Sequence, residues 1–283
     1  MKPQRLIAVL PTLLTLGNAA CGFGAITFAA KLGTAVAEPK HLFISGLLIY
    51  MAMLFDALDG SAARLMRQTS EIGAQLDSLC DAISFGLAPA FLMLQFVQFP
   101  DASPTTDSPS AWILRLLWTI GCLYALCALL RLARFNVESD EDDAHDEFSG
   151  LPSPAAAGTV AAFPVASQQL HELFKDSSQS WLQHPLPWMR FVLPLITISV
   201  AMLMVSRIPY PHFFTQLLRG QKPRMQIIQL VFGLAVVYWV HELAVPVIFC
   251  WFAFTAPLKC LWTEVVGRKI YRVEGEESGG LTG

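Results

Sequence analysis

Charge is what this sequence has least of. Only 14% of its 283 residues are Asp, Glu, Lys or Arg, while 54% are hydrophobic; a typical soluble domain is about a quarter charged. Together with a mean hydropathy of +0.50, that deficit argues against an ordinary water-soluble domain and points to lipid as the solvent. Paired cysteines are also lacking. Cys21, Cys80, Cys122, Cys127, Cys250 and Cys260 stand in or at the ends of apolar runs, with no CxxC pair and no Cys/His cluster of zinc spacing. They are expected to be small membrane-core residues without a redox role. None of the six histidines has a lysine two positions later, and no internal repeat is visible. No nucleic-acid partner is expected.

What is present is a series of long apolar runs with the charges between them. A bilayer core needs roughly 20 apolar residues per helix. Eight segments are candidate spans: 8–30, 42–63, 75–98, 111–131, 151–168, 188–206, 225–240 and 243–262, the last two short enough to be one broken helix or a re-entrant pair instead. The expected fold is an all-α, polytopic transmembrane bundle. The first segment follows Lys2 and Arg5 as a signal peptide would, but its apolar run continues past Cys21 through Phe28, so it is taken as the first span. The fifth, with Pro154, Ala155, Ala156, Ala157 and Gly158, is rich in the small residues that let helices approach closely in lipid. With the N-terminus inside, fourteen of the nineteen Lys and Arg residues fall on one side and five on the other. The positive-inside rule then makes both termini cytoplasmic. The acidic stretch 138–147, ESDEDDAHDE, is expected to be a solvated cytoplasmic loop. The tail after Arg272 has the composition of a disordered segment.

Against this background four acids are anomalous. Asp56 and Asp59 close the second span, and Asp77 and Asp81 open the third. An acid at the centre of a membrane helix costs roughly 2.5–3.5 kcal/mol on insertion scales. Asp56, Asp59, Gly60, Ala63 and Arg64 fall at i, i+3, i+4, i+7 and i+8, and Gly73, Asp77, Asp81 and Ser84 at i, i+4, i+8 and i+11. Each set shares one helical face. The short turn between the spans makes the two helices antiparallel neighbours, with all four carboxylates near the cytoplasmic end. Such a cluster repels itself strongly in a low dielectric. An all-oxygen donor set favours Mg²⁺ or Mn²⁺, one ion or two, over zinc. The small residues Gly60, Ala63 and Gly73 leave room for a ligand beside the acids.

The order Asp56-x-x-Asp59-Gly60-x-x-Ala63-Arg64, eight residues, Gly73, three residues, Asp77, three residues, Asp81 resembles the signature of the CDP-alcohol phosphotransferases. All eight signature positions are filled. PTLLTLGNAACGFGAI in the first span, Arg131-Leu-Ala-Arg134-Phe-Asn136, Phe148-Ser-Gly150-Leu151-Pro152-Ser-Pro154 and Ser206-Arg-Ile-Pro-Tyr-Pro211 look like segments of the integral-membrane CDP-diacylglycerol–serine O-phosphatidyltransferases. The missing His-x-Lys excludes the other, nucleophile-based type of bacterial phosphatidylserine synthase.

The resemblance implies a six-helix catalytic core over 1–213, followed by a C-terminal transmembrane hairpin over 214–265 and a tail over 266–283. It implies a homodimer in the cell's inner membrane. It implies phospholipid biosynthesis: transfer of a phosphatidyl group from CDP-diacylglycerol to L-serine, with release of CMP and phosphatidylserine. Asp56, Asp59 and Asp77 would be metal ligands, and Asp81 the catalytic base and a further metal residue. Gly60, Ala63, Arg64 and Gly73 would shape the CDP-lipid pocket. Asn18, mid-span, would either reach that pocket or bond helix to helix. Arg131, Arg134 and Asn136 would either bind serine carboxylate or lipid phosphate, or anchor the span at the interface. Two metal ions about 3.5–4 Å apart would clamp attacking and leaving oxygens during in-line attack. Alternatives from the residues alone are the same chemistry on glycerol 3-phosphate or an inositol phosphate, and a cation transporter. A phosphorylated acceptor calls for a further basic cluster, and a transporter more often has repeats or broken mid-membrane helices.

Overall fold

The computed structural model describes residues 3–30, 39–66, 71–98, 111–140, 148–174, 186–210 and 247–258. The expected span at 225–240 and the tail lie outside these residues. The described chain is helical: α1 (Pro3–Ala30), α2 (Pro39–Met66), α3 (Glu71–Asp81), a π-helical segment (Ala82–Leu87), α4 (Ala88–Gln98), α5 (Ala111–Asp140), α6 (Ser153–Phe174), α7 (Leu186–Val205) and α8 (Val247–Leu258). Among the described residues, the one strand pairing is a two-residue antiparallel match of β1 (Phe148–Ser149) with β2 (Pro209–Tyr210). Among the described residues, five stretches are long and apolar enough to cross a membrane: Pro11–Ala30, Lys40–Gly60, Ile72–Gln98, Ala111–Val137 and Trp188–Val205. The protein is an integral membrane protein. Large apolar side chains such as Phe23, Trp118, Phe191 and Leu195 stand on its surface, as lipid-facing positions should.

α6 is not one of those five, and packing supplies the reason. Every residue from Ala156 to Ser167 is buried, so α6 runs through the bundle interior, where small side chains serve better than greasy ones. Gly46 of α2 sits against the Ala161 carbonyl, and the Tyr50 hydroxyl donates to the Gly158 carbonyl at 3.0 Å. α1 lies along α2, with Gly17 on the Phe55 ring and the Ser45 hydroxyl donating to the Ala25 carbonyl at 2.8 Å. α3 and the π segment also pack on α1. Among the described residues, direct α2–α3 contact is slight. The two acid-bearing helices are therefore joined through α1, where the short turn alone predicts direct neighbours.

The third span is interrupted immediately after Asp81. The Ala88 N–H reaches back five residues to the Ile83 carbonyl, which is π-helical spacing. Pro89 has no N–H to offer the Phe85 carbonyl four residues earlier. That carbonyl instead accepts the hydroxyl of fully buried Tyr124, at 3.1 Å. α5 also runs nine residues beyond Arg131, to Asp140, so the apolar span ends before the helix does. At the entry to α6, Gly150 has φ +93°, and a Cβ there would come within 2.6 Å of the Met204 carbonyl oxygen. Only glycine suits that position. The Gly150 and Leu151 N–H groups donate to the Ile208 and Leu203 carbonyls, each at 3.0 Å. This draws together two motif segments that are some fifty residues apart in sequence.

Candidate active site

The last turns of α2 and the first turns of α3 bring three acids together. One carboxylate oxygen each from Asp56, Asp59 and Asp77 lie within 4.8 Å of one another. At that separation, and at an effective dielectric of about 20, each pair of ionised carboxylates repels by about 3–4 kcal/mol. Among the described residues, Asp59 Oδ2 and Asp77 Oδ1 are buried and meet no hydrogen-bond donor. Three convergent carboxylates, two of them with a buried oxygen that no proton donor meets, form the all-oxygen donor set that a hard divalent cation takes. The residues fit the metal that the spacing predicts.

Asp81 stands outside this trio but within electrostatic reach of all three acids. It is 9% exposed and ends α3. Its Oδ1 accepts a hydrogen bond at 2.9 Å from Nδ2 of Asn18, which is wholly buried. The Ser84 hydroxyl, in the π segment, donates to the Asn18 backbone carbonyl at 2.9 Å. Asn18 thus bonds helix to helix, and its partner is the predicted base.

α1 contributes more than the sequence suggests. Thr15, Asn18 and Gly22 follow one another at i, i+3 and i+7 on one face. The Thr15 hydroxyl stands between the Pro11 carbonyl, at 3.0 Å, and the Asp59 carboxylate, which also receives the Gly60 backbone N–H. A polar residue one turn before Asn18 in an apolar span is the signal that could have singled out Thr15. Ser153 is a second omission. Its hydroxyl oxygen accepts Nη1 of Arg131 at 2.7 Å, and Arg131 lies within electrostatic reach of Asp81. Nothing in the sequence pairs those two residues.

The other predicted residues gather at the same end of the bundle. Gly60 follows the acids on α2, and a Cβ added there would meet no atom within 4 Å, so the space beside it is open. Ala63 and Arg64 lie on the final turns of α2, with side chains outside the described residues. Gly73 is half-buried at the start of α3. Arg134 is half-buried on α5, one turn beyond Arg131. Asn136 Oδ1 accepts the hydroxyl of Ser78, the residue after Asp77, at 3.0 Å.

Comparison with known proteins agrees with this arrangement. The family profile described as CDP-alcohol phosphatidyltransferase matches residues 8–202. A Mycobacterium tuberculosis protein named CDP-diacylglycerol–serine O-phosphatidyltransferase is 33% identical over 170 residues, covering 59% of this chain and 52% of its own. The chain thus spans about half the length of that mycobacterial relative. A Bacillus subtilis protein of the same name is 29% identical over 204 residues, 72% of this chain and 90% of its own. An archaetidylserine synthase from Methanothermobacter thermautotrophicus is 33% identical over 208 residues, 72% of this chain and 70% of its own. The match extends over more than half of the chain and takes in all four acids: the protein belongs to the CDP-alcohol phosphatidyltransferase family.

Proposed function

We propose that the protein transfers a phosphatidyl group from CDP-diacylglycerol to the hydroxyl of L-serine, releasing CMP and forming phosphatidylserine. The observation that carries this reading is the division among the acids: three carboxylates converge on one point, and the fourth, Asp81, stands beside them on its own hydrogen bond. Serine as acceptor is supported by the relatives named for serine transfer, whether the lipid product is a phosphatidyl or an archaetidyl one.

Each residue then has a role. Asp56, Asp59 and Asp77 would hold Mg²⁺ or Mn²⁺, one ion or two. Bound metal would neutralise the diphosphate and stabilise the departing CMP. Asp81 takes the serine proton as its hydroxyl attacks the lipid-side phosphorus. The bond to serine oxygen forms as the bond to CMP oxygen breaks, with no phosphatidyl-enzyme in between. The open space beside Gly60 admits the cytidine diphosphate, and the family resemblance adds Ala63, Arg64 and Gly73 to that pocket. Arg131, braced on Ser153, and Arg134 offer guanidinium groups to the serine carboxylate or the lipid phosphate; Asn136 positions Ser78 beside Asp77. The acids lie at a helix end, so acyl chains can stay in lipid while serine arrives from water. The basic-residue count supports a cytoplasmic setting for that end, and the family resemblance supports the inner membrane as its location. Residues 1–213 form the catalytic core, 214–265 an added hairpin, and the assembly is a homodimer.

The test is a panel of acceptors. Purified protein receives CDP-diacylglycerol, Mg²⁺ or Mn²⁺, and serine, glycerol 3-phosphate or an inositol phosphate separately, and CMP is measured. Release with serine alone is expected. Release only with a phosphorylated acceptor would overturn the assignment of serine, and a covalent lipid adduct in intact-mass spectra would overturn direct attack.

A further inference from the structure

We infer that Asn18 is a positioning residue: its side-chain amide fixes the Asp81 carboxylate so that one chosen oxygen meets the acceptor hydroxyl. The inference rests on the reading of Asp81 as the base and adds the device that aims it.

The sequence leaves Asn18 two roles, lining the nucleotide pocket or bonding between helices. Its environment separates them. The side chain has no exposed surface, so its polar atoms must find partners inside the protein. A carboxylate only accepts hydrogen bonds, so the amide turns its Nδ2 towards Asp81 Oδ1, at 2.9 Å. The other end of the amide, Oδ1, is buried with no partner among the described residues. An unpaired buried acceptor costs about 1–3 kcal/mol. The amide is therefore oriented for Asp81 at the expense of its own acceptor. A side chain present only to join helices has no reason to single out this acid.

The backbone around Asn18 is clamped as well. Its carbonyl accepts the Ser84 hydroxyl. One turn further, Gly22 lets α1 press on the π segment, and a Cβ there would come within 2.7 Å of Ser84 Cα. The same π segment begins at the residue after Asp81. Donor and acceptor thus sit on two backbones held together at the point where the third span changes helical pitch. With Oδ1 of Asp81 engaged by Asn18, Oδ2 is the oxygen left to accept the proton. This is the logic by which a fixed hydrogen bond orients a catalytic base.

Asn18→Leu keeps most of the volume and removes the donor; Asn18→Gln keeps the amide and displaces it. Both are compared with Ser45→Ala, which deletes a buried hydroxyl bond between α1 and α2 away from the acids. For both Asn18 variants kcat is expected to fall about 10- to 100-fold, the lower part of the range for a misdirected general base. The KM for serine and the Kd for CDP with Mn²⁺ should stay within about threefold of the parent. Ser45→Ala should lower Tm without lowering kcat. The inference is overturned if either Asn18 variant turns over at the parent rate. It is also overturned if CDP affinity falls in step with kcat, which would make Asn18 a nucleotide ligand. A parent protein that fails to release CMP with serine overturns the functional reading instead, and CDP affinity measured on the same samples keeps the two failures apart.

Discussion

At the scale of single residues, the acids were legible because helical spacing is fixed. Asp56 with Asp59 and Asp77 with Asp81 must each share a face, and a short turn must bring the two faces to the same end. Chemistry across helices was not legible. The partners of Asn18 and Arg131 are Asp81, 63 positions away, and Ser153, 22 positions away, and no local pattern encodes such pairings. The open space beside Gly60 is what its small size allows. Asp77→Asn removes a negative charge from the trio but keeps its shape. It should weaken Mn²⁺ binding by about tenfold or more, each lost 1.4 kcal/mol being a factor of ten, as read by calorimetry. Chelator should abolish CMP release, and added Mg²⁺ or Mn²⁺ should restore it in the parent protein. Unchanged Mn²⁺ affinity in Asp77→Asn would remove this acid from the site.

Among the elements, the five described spans follow the apolar runs closely, because lipid demands length and hydropathy together. Departures occur where other interactions decide. α5 continues past its apolar stretch because polar residues such as Asn136 still find partners at the site. The third span breaks pitch because Pro89 leaves the Phe85 carbonyl to Tyr124. The proline was visible in the sequence; the buried tyrosine that answers it was not. Tyr124→Phe leaves that carbonyl without its hydroxyl partner and should destabilise the protein by about 1–3 kcal/mol, measured by thermal unfolding in detergent. An unaltered Tm would mean that the π segment is held by other contacts.

For the whole molecule, composition announced a membrane protein, and the signature announced its family, but neither tells how the C-terminal part joins the core. α8 is seated on the bundle. The Phe249 ring stacks with Tyr50 at 5.5 Å, and a Cβ on Gly158 would run into that ring. The Thr159 hydroxyl reaches the Phe249 carbonyl at 3.5 Å. Phe249 is only half-buried. Phe249→Ala should therefore cost about 2–3 kcal/mol, somewhat less than the ~3–5 kcal/mol of a fully enclosed phenylalanine, with the KM for serine unchanged because the contact lies away from the acids. A raised KM without loss of stability would instead connect α8 to the acceptor site.

The central claim is that four acids, three holding metal and one taking a proton, join serine to a CDP-activated lipid. Its most direct measurement supplies purified protein with CDP-diacylglycerol, Mn²⁺ and isotopically labelled serine, and counts CMP and labelled phosphatidylserine together. One labelled lipid is predicted for each CMP, and Asp81→Asn should form both about 10²- to 10⁴-fold more slowly while still binding CDP. CMP appearing without labelled lipid, or at the parent rate in Asp81→Asn, would contradict the account.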